Sequence, residues 1–220
     1  MSGSRTLSLH EEEQVLAALP HFPARDRLFV ILGLNSGLRL RELTSLTIAK
    51  VWDGAMRRAF LRIERRQLKF GRSTTRRRSV SSRTLPLNGS VCRAIGGYCE
   101  ERMALGDPLG PEQFLFPSPK QGRGLCRMQV SRILQRVFTA AGIDLASRLG
   151  SHSLRKAFCA KIWEASGHDI EVTRASLGHR HIATTQAYLP RGEVEAHRLI
   201  LALDRCADPL AAAESGASPR

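Results

Sequence analysis

No stretch of this sequence approaches the roughly 20 consecutive apolar residues that a helix needs to cross a bilayer, which excludes a membrane-spanning helix. Cysteine is sparse and has no pairing pattern. The five residues Cys92, Cys99, Cys126, Cys159 and Cys206 are odd in number and show neither CxxC nor the Cys/His spacing that zinc requires. They are expected to be reduced and mostly structural. The chain also has no P-loop and no glycine-rich nucleotide loop. No apolar signal core follows Met1-Ser-Gly-Ser-Arg5; with the cysteine usage, this points to a cytoplasmic protein working at the bacterial nucleoid. Acidic residues are outnumbered, with 34 Lys+Arg against 20 Asp+Glu and a net charge of +14. So basic a body repels itself unless a polyanion supplies the opposing field, and nucleic acid is the expected partner. A basic protein on a membrane surface would need a basic amphipathic helix, whereas here the arginines crowd a hairpin, so no membrane partner is expected.

The length suits one well-buried domain with short extensions. Ser8-Leu-His-Glu11 has the form of a capping box, and Val15, Leu16 and Leu19 follow at helical spacing, predicting a helix over about 10–19. Pro20 and Pro23 break it, and Leu28 to Leu34 forms a second, buried helix that stops near Asn35-Ser-Gly37, leaving Arg39 at a helix start. Glu42 lies one turn on and can orient its guanidinium. Residues 58–66 and 79–87 alternate imperfectly between apolar and polar, which predicts a hairpin ended by Pro86. A helix around Val91 to Tyr98 and a Pro/Gly-rich loop from Gly106 to Gly124 come next. The clearest helix has one apolar stripe of Val130, Ile133, Leu134, Val137, Phe138 and Ala141, with Arg127, Arg132 and Arg136 away from it. Helices over about 152–166, 171–177 and 192–203 complete the pattern, and the residues after Asp208 read as a disordered tail.

One constellation stands out. His152 and Arg155 are three apart on a helix and share a face, His179 follows a glycine turn, and Tyr188 comes nine residues later. Each residue alone has an ordinary structural explanation. Together with Arg39 they suit a phosphodiester attacked by a hydroxyl, since a guanidinium fork matches the non-bridging oxygens bidentately. Tyrosine, with a reference pKa of about 10, needs a base such as His152 to activate it. A departing oxygen needs a general acid, and Lys69 is the one lysine in the arginine-rich hairpin.

These residues resemble the tyrosine site-specific recombinases, also called the phage integrase family, over about residues 8–203. The resemblance rests on Gly37-Leu-Arg39 with Glu42-Leu43, on His152-Ser-Leu-Arg155, on Leu177-Gly-His179 and on Tyr188 at the family's distance beyond. It implies an α+β, mostly helical catalytic domain over 1–208 with a small antiparallel sheet built on the hairpin. Only a short helical lead precedes the Arg39 box, so no separate N-terminal core-binding domain is expected. By resemblance, Arg39 and Arg155 hold the scissile phosphate, His152 and His179 flank it, Lys69 is the hairpin lysine, and Tyr188 is the nucleophile that forms a covalent 3′-phosphotyrosine link. The implied activity is integration, excision or inversion of a mobile element, without a cofactor. The partners would be double-stranded DNA, further copies of the chain in a tetramer on two DNA sites, joined through the helix at 192–203, and in some systems a DNA-bending accessory protein. Type IB topoisomerase-like nicking and resealing, or a catalytically silent DNA-binding protein of the same fold, are the alternatives.

Arg65, Arg66, Arg72, Arg76, Arg77, Arg78 and Arg83 form the densest charge cluster in the chain and read as a phosphate-contacting arm that supplies affinity without sequence preference. Arg132 and Arg136 are expected to add to it.

Overall fold

The computed structural model describes residues 4–54, 58–64, 82–119, 122–144 and 148–189. The chain divides after Tyr188, and every element named here belongs to the body that residues 1–188 form. The elements are helices α1 (Leu9–Ala18), α2 (Ala24–Ser36) and α3 (Leu40–Thr44), strands β1 (Phe60–Ile63) and β2 (Arg83–Pro86), then α4 (Gly89–Ala104), α5 (Arg127–Ala140), α6 (Ser151–Ala165), α7 (Ile170–Leu177) and α8 (Ile182–Gln186). This is the mostly helical α+β architecture that the sequence implies. Among the described residues no helix is long and apolar enough to cross a membrane.

Local chemistry accounts for most boundaries. The expected capping box forms: Ser8 N donates to Glu11 at 2.8 Å and Glu11 N donates to the Ser8 hydroxyl at 3.1 Å. α2 begins at Ala24, four residues before the expected start, with Pro23 as its N-cap. Proline lacks an N–H to lose at a helix start, so it can open this helix. The polar run Arg25-Asp26-Arg27 hid that start, because apolar patterning cannot anticipate a buried Asp26 whose carboxylate takes Arg25 at 2.8 Å and Arg136 at 3.0 Å.

α2 is the central element. Leu28, Phe29, Val30, Leu32 and Leu34 are all buried, so it is apolar around most of its circumference, and it packs on α4 and on α6. The stripe on α5 is buried as expected, through Val130, Ile133, Leu134, Val137 and Phe138. The hairpin pairs antiparallel with Leu61 opposite Leu85 and Ile63 opposite Arg83. Leu61, Ile63 and Leu85 face inward. The outer parts of both expected strands, from 65 to 81, lie outside the described residues. The Pro/Gly-rich loop is tied down by bridges from Thr47 to Phe114 and from Pro117 to Gly124, with Phe116 edge-on to Phe29 at 5.0 Å.

Two helices stop on glycines in the left-handed region, α2 at Gly37 with φ 58° and α7 at Gly178 with φ 62°. At Gly37 a side chain would also run into Phe158 of α6. Gly37→Ala should therefore lose about 2–4 kcal/mol, combining the left-handed backbone cost with overpacking, read as a lower urea midpoint at unchanged slope. A midpoint equal to the wild type would show that the end of α2 is free to move.

Candidate active site

Arg155 is raised on the first two turns of α6 into the interior, where it is 1% exposed and the largest fully buried side chain among the described residues. A buried cation is tolerable only when dipoles or charges meet it. Here one Nη donates to Gly37 O, just past the end of α2, and the other donates to Leu177 O, the end of α7, at 2.9 Å. The second Nη also lies 2.7 Å from His179 Nε2. The Nε is buried without a partner. Burial, then the like charge of Arg39, holds Arg155 down to about 10, which leaves it charged at neutral pH.

The second group of cations gathers on one carboxylate. Glu42, 1% exposed in its side chain, accepts from Arg39 Nη1 at 3.1 Å and from Arg83 Nη2 at 3.0 Å. It also accepts from the Arg39 backbone N–H at 2.8 Å, which caps the start of α3. The orientation of Arg39 by Glu42, expected from their spacing, is present. Arg39 remains about one-third open to solvent, with 32% of its side chain exposed. Arg83, grouped from the sequence with the hairpin arm, turns inward from the first residue of β2, and its second contact is Leu177 O at 2.7 Å. Three guanidinium groups thus share a neighbourhood in which Glu42 is the carboxylate bonded to two of them.

His179 sits immediately after Gly178 and is 3% exposed. Arginine can only donate, so the 2.7 Å contact from Arg155 makes Nε2 an acceptor. The ring proton must then sit on Nδ1, which donates to Thr185 Oγ1 at 2.9 Å. Burial, followed by the field of Arg155, Arg39, Arg83 and Arg174, pushes this imidazole down to about 3, so the ring is neutral. His152, exposed at the start of α6, is also lowered, first by partial desolvation and then by Arg155, Lys156, Arg127 and Arg39.

The chain has two tyrosines. Tyr98 is buried and donates to Leu115 O at 2.9 Å, a packing role. Tyr188 is half-buried beside the cluster, its ring 5.4 Å from that of His179. The Arg155 guanidinium and the Lys156 ammonium lie 6.0 and 5.9 Å from its centre. The helix α8, which periodicity does not reveal, brings it there: Tyr188 N donates to Thr185 O at 2.8 Å, so one threonine orders both the histidine and the turn that carries the tyrosine.

The structure thus brings together Arg39, Arg155, His179 and Tyr188, with His152 on the same helix as Arg155. Lys69 and the arginines 65, 66, 72, 76, 77 and 78 lie outside the described residues. Arg136 is paired with Asp26, and with Arg25 and Arg132 it lines a separate cavity of about 470 Å³. Thr185 was missed from the sequence, and Arg83 was read there as part of the hairpin arm and not of this cluster. Thr185 carries a signal in its position, three residues before the tyrosine and six after the histidine. Arg83 carries none, because its partners Glu42 and Leu177 are 41 and 94 residues away.

The neutral His179 has a measurable consequence. Its folded value of about 3 lies below the unfolded value of about 6.5, so between these limits only the unfolded chain binds the extra proton. Stability should fall with falling pH through that window, by at most about 1.4 kcal/mol per unit from this group, and be unaffected above it. In urea titrations the loss between about pH 7 and about pH 5 should be smaller in His179→Gln, by up to about 2 kcal/mol. Equal losses would show that the ring is charged in the folded state.

Comparison with known proteins gives a consistent picture. The sequence matches the phage integrase family over residues 5–192. It is 34% identical over 193 residues to tyrosine recombinase XerD of Caulobacter vibrioides, covering 84% of this chain and 56% of that protein. It is 31% identical over 192 residues to tyrosine recombinase XerC of Ralstonia pickettii, with the same coverage. The chain therefore spans about half the length of these relatives. Among solved structures, XerA recombinase superposes with a TM-score of 0.66 at 23% identity, over 92% of this chain and 64% of that one. XerH site-specific recombinase bound to its difH substrate gives 0.63 at 20% identity, over 89% and 53%. The structural likeness shows the fold, and the matches over most of its length show that the chain belongs to the phage integrase family, the tyrosine recombinases.

Proposed function

We propose that residues 1–208 are the catalytic part of a site-specific DNA recombinase that cuts and rejoins strands through Tyr188, for integration, excision or inversion. The carrying observation is the surplus of cation beside a tyrosine: Arg39 and Arg83 meet on one buried carboxylate, Arg155 shares the Leu177 carbonyl with Arg83, and a buried Nε on both Arg83 and Arg155 is left without a partner. Such a site favours an anion, and a phosphodiester in contact with Arg39 and Arg155 would meet the tyrosine ring's edge of the cluster. The solved complex of the Tn1549 transposon integrase with transposon right end DNA supports the choice of DNA.

In this reading the Tyr188 oxygen attacks phosphorus and yields its proton to His152, which is neutral and able to accept it. The bond from phosphorus to the 5′-oxygen breaks, and that oxygen takes a proton from Lys69. The products are a 3′-phosphotyrosine link and a free 5′-hydroxyl, which reverses the attack on a partner strand. His179, held as the Nδ1–H tautomer, already meets one phosphate-binding arginine through Nε2, so it fixes the guanidinium that an arriving phosphate would share. The arginines 65, 66, 72, 76, 77 and 78, together with Arg132 and Arg136, are proposed to neutralise phosphates along the duplex, and the helix at 192–203 to link protomers into a tetramer.

The test uses a pool of nicked duplexes with randomised cores. The protein should leave a band on a denaturing gel that contains both protein and DNA, and Tyr188→Phe should remove it while duplex binding persists. His152→Ala should slow the adduct by about 10²–10⁴-fold. Salt-sensitive binding with no adduct, or an adduct that survives Tyr188→Phe, would overturn the reading.

A further inference from the structure

Arg83 opens β2, and its side chain is 15% exposed. Its two Nη groups end on different partners. One donates to Leu177 O at 2.7 Å, the carbonyl that also accepts from Arg155 at 2.9 Å. The other donates to Glu42 Oε2 at 3.0 Å, on the carboxylate whose Oε1 accepts from Arg39 at 3.1 Å. Arg83 therefore shares one acceptor with each of the two arginines assigned to the phosphate. The end of α7 is shaped around it: a Cβ at Gly178 would fall within 2.8 Å of the Arg83 Cδ and Cζ, so glycine is required there for space as well as for its φ of 62°.

We propose that Arg83 is a positioning residue for strand cleavage, a rigid fork that sets Arg39 and Arg155 at a common spacing through Glu42 and the Leu177 carbonyl, and that it does not itself contact DNA phosphate. The proposal rests on the recombinase reading above. Its physical basis is the burial of Glu42. Without Arg83, this carboxylate, 1% exposed, keeps a single guanidinium, and that one is 32% exposed. The Leu177 carbonyl would then be held by Arg155 alone. A displacement of about 1 Å in a group that holds the reacting phosphate is enough to cost on the order of 10²-fold in rate.

The experiment measures single-turnover adduct formation by the full chain on the nicked-duplex pool, together with duplex binding as a function of salt. Arg83→Met should lower the cleavage rate constant about 10–100-fold, with the final adduct yield, the half-saturating DNA concentration and the salt slope unchanged. The double variant Arg83→Met/Glu42→Gln should be slower than wild type by less than the product of the two single effects, because the two residues share the Arg83–Glu42 contact. Arg83→Lys keeps the charge but not the two-pronged fork. It should fall between wild type and Arg83→Met, and it carries the same test if Arg83→Met does not fold. An unchanged rate constant would overturn the proposal. So would a salt slope shallower by about 0.9, the mark of a lost phosphate contact, or a loss confined to adduct yield, the mark of a misfolded fraction. A wild type that forms no adduct would instead overturn the recombinase reading, and the proposal with it.

Discussion

Burial of the Arg155 guanidinium is the constraint on which the rest of this body depends. A cation that is 1% exposed must find its counter-charge within reach, and it finds it in two backbone carbonyls at the ends of α2 and α7. Helix C-termini carry unpaired carbonyls and the negative end of the helix dipole. The arginine and the two helix ends therefore satisfy one another, and three segments far apart in the chain are fixed by one side chain. The left-handed glycines at 37 and 178 are a consequence, because each lets a helix stop where an arginine needs its carbonyl.

The same arrangement sets the charge states around it. Glu42 balances part of the field; burial first, and then the remaining positive charge, keeps His179 neutral, held down to about 3, and lowers His152 as well. Neutral imidazoles beside fixed cations suit a site that receives an anion and moves protons near it. The orientation is passed outward in turn: Arg155 fixes the tautomer of His179, His179 engages Thr185, and Thr185 orders the turn that carries Tyr188.

Much of this was legible in the sequence for definite reasons. The α5 stripe and the Ser8 capping box are local patterns, and local patterns survive tertiary context when one face is simply buried. The spacing of Arg39 and Glu42 predicted a contact because three residues on a helix start leave little choice. The beginning of α2 was not legible, since Asp26 is buried by partners as distant as Arg136. The short helix α8 was missed because five residues carry too little periodicity to register.

By itself the sequence determined the inventory: the arginines, histidines and tyrosine, the helices that bear them, and a net charge of +14 that calls for a polyanion. Tertiary structure alone decided what each cation faces. Arg83 reads as one more member of a basic run, yet it is turned inward to Glu42 and Leu177, 41 and 94 residues away. The physical reason is that burial and pairing of charge depend on distances through space, and the interior contacts that fix them join residues whose separation along the chain leaves no periodic trace.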